Sequence, residues 1–356
     1  MNLFMRVMLA AYDERVTTKM IPLFLSSLFG KNPGELVEAA VERVDIDVIR
    51  DTRRHAVDVK RGGGAGNVND TNIFSTHEYK PPLYWEETPL TANMLLKRLP
   101  GMDPFQTLDQ AASIAYHATS IQREQSMKIL REIERMAAEA LQTGTITLVN
   151  TESLDFGKRA AHAVVPAVKW DQAGSNPITD IEQLSDVIFQ NGKMRPNTLI
   201  FGSAAWDAFI ANAATIAYLN TRYIEPGRLA PEEILQGAKM WGRVTIKSYA
   251  FDVYIYDDFF NNALGAAVPY ITTDTVIVMN RNAWLTKAFA AVELLPQYRQ
   301  EYAERGLPRA PEFAIGRIIP FAYERAPNAL LVGVQSAPLV IPTAIDTIGT
   351  LDNVDT

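Results

Sequence analysis

KRLPGMDPFQTLDQAASIAYHATSIQREQSMKILREIERMAAEALQTG, residues 97–144, decides the architecture of this 356-residue chain. Asp103 has the side chain of a helix N-cap, Pro104 suits the first helical position, and Gln106 completes a capping box, so a helix is predicted to open at Pro104. Apolar residues then recur at Leu108, Ala112, Ala115, Ala118, Ile121, Leu130, Ile133, Ala137 and Leu141, broadly the three-to-four spacing of one helical face, until Gly144 supplies a stop. No proline interrupts the run. At about 1.5 Å per residue, a helix from Pro104 to Thr143 measures roughly 60 Å, far beyond the ~11 to 12 residues of an average globular helix. Such an element has to run along a large surface. Its charged residues, Arg123, Glu124, Lys128, Arg131, Glu132, Glu134, Arg135 and Glu139, mix both signs, and Glu124 precedes Lys128 in the favourable i,i+4 order. A solvated face accounts for most of them.

Upstream, the first fifty residues alternate apolar clusters (Leu3, Phe4, Val7, Met8, then Ile21, Leu23, Phe24, Leu25) with charge, interrupted by Gly30, Pro33 and Gly34. They read as an arm laid across another surface, or as an N-terminal helix packed on its own domain. Between Asp51 and Leu99 two strand-like runs, HAVDVK (55–60) and NIFSTHEY (72–79), flank RGGGAGN (61–67). A two-stranded ribbon with so few apolar residues is marginal alone and needs a neighbouring surface.

Downstream, strand-like TITLVN (145–150) and AHAVVPAVKW (161–170) follow, with Pro166 marking an edge or bulge, and Ile178 to Phe189 reads as an amphipathic helix. Next come strand TLIFG (198–202) and a helix opened by Ser203 as cap, with Trp206, Phe209, Ile210, Ala213 and Ile216 on one face. A second helix is expected near Pro231 to Trp241, then RVTIKSY (243–249) and DVYIYDD (252–258) as a hairpin, and DTVIVMN (274–280) as a buried strand. FAIGRIIPFAY (313–323) and ALLVGVQSAPLVIP (329–342) return to strand. The segment after Pro342 carries Asp346, Asp352 and Asp355 and no basic residue, so it is expected to be loose. The whole reads as α+β.

Composition narrows the function. The chain is 47% hydrophobic and 21% charged, an ordinary globular balance, and it has no cysteine, so neither disulfides nor thiolate metal sites hold it together. A net charge of -7 argues against a surface that wraps nucleic acid, although a container for DNA needs no basic surplus. LFLSSLFG (23–30) is too short to span a bilayer and lacks a basic lead-in with a small-residue cleavage site, which predicts a soluble, unexported protein with no membrane contact.

No pattern points to catalysis or to a cofactor. RGGGAGN lacks the Gly-Lys-Ser/Thr ending and the strand-to-helix setting of a phosphate loop, so it reads as a turn. His55, His77, His117 and His162 are scattered without metal-ligand spacing, and no G-x-S-x-G elbow surrounds a serine. Asp257 and Asp258 are adjacent at a strand end, where neighbouring side chains point to opposite faces.

The order of parts resembles the lambda-type major capsid family, which has the Hong Kong 97 phage capsid fold. The resemblance runs from AAYDERVTTKMIPLFLSSLFG (10–30), through the Arg61-Gly62-Gly63 turn, Tyr79-Lys80-Pro81 and KRLPGMDP (97–104) before the long helix, to QSAPLVIP (335–342). It implies an N-terminal arm (1–50), an extended β-hairpin loop (51–100), a peripheral domain on the spine helix (101–195 with 312–342), an α/β axial domain (196–311) and a C-terminal tail (343–356). It implies a virion protein assembled in the host cytoplasm as hexamers and pentamers, closing an icosahedral head around double-stranded DNA that it touches only non-specifically. With no long charged helical leader, a separate scaffolding protein is implied, beside a portal and a possible decoration protein. On that footing the basic cluster Arg50, Arg53, Arg54, Lys60 and Arg61 is expected to dock on Glu124, Glu132 and Glu134 of an adjacent subunit. An encapsulin-like compartment shares the fold. A soluble α/β enzyme using Asp257 and Asp258 and a tail-tube subunit are further alternatives, the latter opposed by the long helix.

Overall fold

The structure is a computed structural model that describes residues 23–32, 34–39, 43–49, 74–95, 110–148, 153–221, 232–262, 264–293, 313–314, 317–326, 329–352 and 354–355. Pro104 and the capping box lie outside these residues. The described part of the spine helix, α2, spans Gln110–Gln142, about 50 Å of continuous helix, and follows the short α1 (Ala92–Leu95). Gly144 ends it as expected, with φ at 75° and its N–H donated to Ala140 O.

The largest sheet has seven strands. In spatial order they are β7 (Ala163–Val164), β21 (Ile348–Leu351), β14 (Val276–Met279), β8 (Thr198–Phe201), β11 (Tyr249–Tyr256), β10 (Ala238–Ile246) and β9 (Glu232–Leu235). Its central strands alternate between two cores with the period of two that a strand imposes. Ile200, Tyr254, Tyr256, Ile277, Met279 and Ile348 face the core that contains Ile133, Met136, Ala137 and Leu141 of α2. Leu199, Phe201, Val253, Ile255, Val276, Val278 and Leu351 face the other core. Because both faces are covered, VIVM of β14 can be apolar at every position.

The second core is closed by α3 (Pro177–Gly192), α4 (Ser203–Ala211) and α5 (Ala213–Thr221). The Asn176 side chain caps α3 by accepting from Thr179 N–H, and Pro177 occupies its first turn. Gly202, rather than Ser203, is the residue that precedes α4 as its cap. Asn212 breaks the expected single helix into α4 and α5, its Oδ1 accepting from Ala214 N–H and Thr215 N–H. Ile216, predicted on the inner face, is consequently exposed.

The remaining sheets are small. β1 (Leu36–Glu38), β15 (Thr286–Phe289) and β20 (Pro338–Ile341) form one, and β18 (Ile319–Ala326), β19 (Ala329–Ser336) and β4 (Tyr84–Thr91) form another. β2 (Val44–Ile49) pairs only with β3 (Phe74–Tyr79) among the described residues, and β5 (Thr145–Thr147) with β6 (Ser153–Asp155). β12 (Phe259–Asn261) pairs with β13 (Ala267–Pro269), and β16 (Val292–Glu293) with β17 (Phe313–Ala314).

Four expectations need correction. The stretch near Pro231 to Trp241 is not a helix: Gly237, at φ 73°, turns the chain between antiparallel β9 and β10, and the predicted hairpin of β10 with β11 extends it. The segment after Pro342 is not loose, because β21 lies between β14 and β7 and buries Ile345, Ile348, Leu351 and Val354. The end of the supposed arm is not laid across another surface: Leu23, Phe24, Leu25, Leu28 and Phe29 are buried in this chain's own core. The ribbon partner of residues 74–79 is 44–49, with Val44 opposite Tyr79, whereas 55–60 and 61–67 lie outside the described residues.

Candidate assembly surfaces

The ribbon is fastened at its base. Val44 and Tyr79 are buried, and the Tyr79 ring stands 5.5 Å from that of Phe156. Arg43 and Glu78 pair at 2.6 Å, but both are more than half exposed, so the pair stabilises by only about 0 to 1 kcal/mol. The cluster Arg50, Arg53, Arg54, Lys60 and Arg61, expected to make the intersubunit contact, lies outside the described residues.

The three acidic residues expected to receive that cluster occupy different environments. Glu124 is exposed on α2 and stands available to a neighbour. Glu132 is tied within the chain, accepting from Arg135 Nη2 at 2.7 Å and from the Tyr84 hydroxyl at 3.1 Å. Glu134 is fully buried, so the expectation of an intersubunit role for it is corrected. Its Oε1 accepts from Leu25 N–H at 2.7 Å and from the Tyr256 hydroxyl at 2.8 Å, and its Oε2 from Ser26 N–H at 2.7 Å. Burial pushes its carboxyl above the usual carboxylate range against the pull of those donors, and also raises the Tyr256 phenol. One side chain thus joins the N-terminal segment, the spine helix and the seven-stranded sheet. The helix period separates Glu134 from Glu132: Glu134 lies four residues after Leu130 and three before Ala137, on the apolar face, whereas Glu132 lies on the opposite side, so periodicity could have flagged Glu134 as buried.

At the far end of α2, Lys158 serves the exposed carbonyls. Its Nζ donates to Gln142 O at 2.5 Å and Thr350 Oγ1 at 3.2 Å, a cation at a helix C-terminus. Burial lowers its pKa to about 8. The folded chain therefore releases this proton more readily than the unfolded one, and stability should rise with pH between about 8 and the ordinary lysine value. The midpoint of urea unfolding at pH 8 and at pH 10 checks this, with the rise expected to shrink in Lys158→Met. An equal rise in that variant would contradict the assignment.

The acidic pair and the buried histidine serve the fold. Asp257 pairs with Lys239 at 2.9 Å, whereas Asp258 Oδ1 accepts from Phe259 N–H at 2.9 Å, so the two carboxylates do not converge on one site. His162 is buried, with Nδ1 2.9 Å from Ile348 O and Nε2 2.9 Å from Asn191 Nδ2. The arrangement fits a proton on Nδ1 donated to the carbonyl, with Nε2 accepting from the amide, and burial lowers the imidazole pKa. Among the described residues no three His, Cys, Asp or Glu side chains gather for a metal, and no helix is long and apolar enough to cross a membrane. An apolar surface feature without a sequence pattern to mark it is also present: Phe259 and Leu264, on and beside the β12–β13 hairpin, stand in solvent.

A model of the family described as phage major capsid protein E matches residues 7–353. No curated protein sequence matches the chain. Among solved structures, a protein described as a prophage capsid protein of E. coli CFT073 is 18% identical, with 98% of each chain covered and a TM-score of 0.65. A phage-related protein from Bordetella bronchiseptica RB50 is 13% identical over 98% of this chain and 96% of its own, with a TM-score of 0.49. The SrpI encapsulin of Synechococcus elongatus PCC 7942 is 12% identical over 98% and 95%, with a TM-score of 0.44. The spine helix, the ribbon and the mixed sheet are arranged as in the Hong Kong 97-like capsid fold. With the family match running over nearly the whole sequence, the chain belongs to the phage major capsid protein E family and is a major capsid protein, a structural unit of the head shell.

Proposed function

We propose that copies of this chain associate as hexamers and pentamers that close into an icosahedral head around double-stranded DNA. Assembly takes place in the host cytoplasm with a separate scaffolding protein and a portal, and the DNA is held without sequence-specific contact. In this reading the loop at 51–100 reaches the neighbouring subunit. The peripheral part takes residues 101–195 with 312–342, built on the spine helix, and the axial part takes 196–311. The observation that carries the proposal is the ribbon of β2 and β3. A two-stranded ribbon anchored at its base by Val44 and Tyr79 gains little from its own pairing in water, and a subunit beside it would supply a covering surface.

The contact proposed for that loop sets Arg50, Arg53, Arg54, Lys60 and Arg61 against Glu124 of the next subunit, since Glu132 is held by Arg135 and Tyr84 and Glu134 is buried. Single exposed pairs give about 0 to 1 kcal/mol, so their effect rests on repetition around a closed shell. Negative-stain microscopy of the purified protein, with and without its scaffolding protein, tests the proposal: closed particles are expected, and a chain that stays monomeric in both conditions refutes it. In the same assay the double reversal Arg53→Glu, Arg54→Glu should lower the yield of closed particles several-fold. An undiminished yield would remove the charge contact and leave the shell itself standing.

A further inference from the structure

Cations gather where the N-terminal segment joins β15. Gly30 N–H donates to Leu285 O at 2.8 Å and Lys287 N–H to Glu35 O at 2.8 Å, and β1 then runs parallel to β15 with Leu36 beside Lys287. That pairing draws Lys31 and Lys287 together with Arg281, on the turn before β15, and with Arg317, whose Nε stands 3.3 Å from Glu38 Oε1 on β1. Arg281 is steadied from behind, donating to the Tyr254 hydroxyl at 2.7 Å with its guanidinium over the Tyr254 ring. Between Arg281 and Lys287 in the chain, the Trp284 ring reaches out beside Gly34 and is 50% exposed.

The carboxylates of this segment are already engaged. Glu35 is buried, accepting through Oε2 from Lys31 N–H and Asn32 N–H, both at 3.1 Å, and through Oε1 from the Asn32 amide at 2.7 Å. Glu38 pairs with Arg317, and Glu134 is held by its three donors. Among the described residues, neither the Lys31 nor the Lys287 ammonium has a hydrogen-bond or ion-pair partner. Their acidity reflects this. Burial, and after it the nearby Arg281, lowers the pKa of Lys31 to about 8 against the pull of Glu35. Burial likewise lowers Lys287 to about 8, with Glu134 opposing and Arg317 assisting. Cations whose nearby carboxylates are spent, set around an exposed indole, suit an anion that brings apolar surface with it.

The charge of the rest of the chain decides which kind of anion. A DNA duplex carries one negative charge per about 1.7 Å of its axis, so a duplex laid on this face would continue across the remainder of a chain whose net charge is -7. A short acidic peptide can end where the cations end. Its carboxylates match the forked donors of Arg281 and Arg317, and an apolar side chain within it can lie on Trp284.

We propose that the face formed by Lys31, Arg281, Trp284, Lys287 and Arg317 receives a short acidic segment of another protein, carboxylates on the cations and an apolar side chain on the indole. The proposal goes beyond the shell reading and does not depend on it. Fluorescence anisotropy of a labelled peptide of repeated Glu-Glu-Leu units, titrated with the unassembled chain, tests it. Saturable binding is expected, weakened at least tenfold by Lys31→Glu and several-fold by Trp284→Ala, and largely kept by Lys31→Arg. Arg123→Glu, the same charge reversal at an exposed position on α2, should leave the affinity within twofold. Because the Lys31 ammonium has no partner in its own chain, Lys31→Glu should also keep the urea midpoint of the unsubstituted protein. Absence of binding, or equal weakening by Lys31→Glu and Arg123→Glu, would overturn the proposal. So would single-stranded oligothymidine that binds as tightly as the peptide and depends on Lys31 in the same way, which would make the face a nucleic-acid contact. None of these results bears on whether the chain forms closed particles.

Discussion

Removing residues 343–356 should abolish soluble expression of the chain. The deleted stretch includes β21, which is antiparallel to β14 on one side and parallel to β7 on the other. Ile345, Ile348, Leu351 and Val354 are each at most 2% exposed, and full burial of an aliphatic side chain is favourable by about 1.5 to 3 kcal/mol. Four of them together contribute about 6 to 12 kcal/mol, the size of a whole domain's stability of about 5 to 15. The polar losses act in the same direction. His162 would lose the Ile348 carbonyl, Arg159 its 2.9 Å partner Asp346, and Lys158 the Thr350 hydroxyl. What remains would expose VIVM of β14 as an unpaired apolar edge, a template for aggregation. Expression of residues 1–342 followed by fractionation is the check. A soluble product with a cooperative unfolding transition would show that the sheet does not need its β21 strand.

Glu134→Ala should destabilise the folded chain by about 3 to 5 kcal/mol. The substitution removes a buried carboxylate and with it the cost of burying the charge. It also leaves Leu25 N–H, Ser26 N–H and the Tyr256 hydroxyl without an acceptor in a site sealed from water, at about 1 to 3 kcal/mol for each such group. Three stranded donors outweigh one relieved charge. Glu134→Gln should fall between, because its amide oxygen serves two donors while its NH2 faces the third. Urea unfolding measures the loss, and limited proteolysis should cut first within residues 23–29, the segment that the carboxylate holds. The pH dependence gives a second readout. Since burial raises this carboxyl's pKa, the folded chain holds the proton more tightly than the unfolded one, and its contribution makes stability fall as pH rises through the raised value. Both variants should lack that slope. Unchanged unfolding in Glu134→Ala would mean that the segment at 23–29 is held by its apolar contacts alone.

Much of the fold was legible because its strongest elements repeat a local pattern many times. The spine helix shows its period over several turns, and the apolar run of β14 could only be a strand covered on both faces. Where a single residue decided the outcome, the pattern misled. A helix was expected near Pro231 to Trp241, yet Gly237 in the left-handed region forces a turn, and Glu232 and Glu233 place charge along the exposed edge strand β9. Asp346 and Asp352 suggested a solvated tail, yet the first pairs with Arg159 and the second accepts from the Thr275 and Thr350 hydroxyls. Among the candidate assembly residues, Glu134 lies on the apolar face between Leu130 and Ala137, so its burial was legible in the helix period although its partner was not. The period could not give that partner, a backbone segment 109 positions away in the chain whose N–H groups meet the carboxylate.

The position of β21 in the seven-stranded sheet sets an order of events during translation. β14 and β7 are synthesised earlier but stay unbridged until the residues of β21 leave the ribosome, and contacts that distant in sequence are slow to close. A prematurely terminated chain would therefore lack the folded body needed to hold the ribbon and the β12–β13 hairpin in place. A chain that stops before Ile348 would leave β14 and β7 without the strand that bridges them.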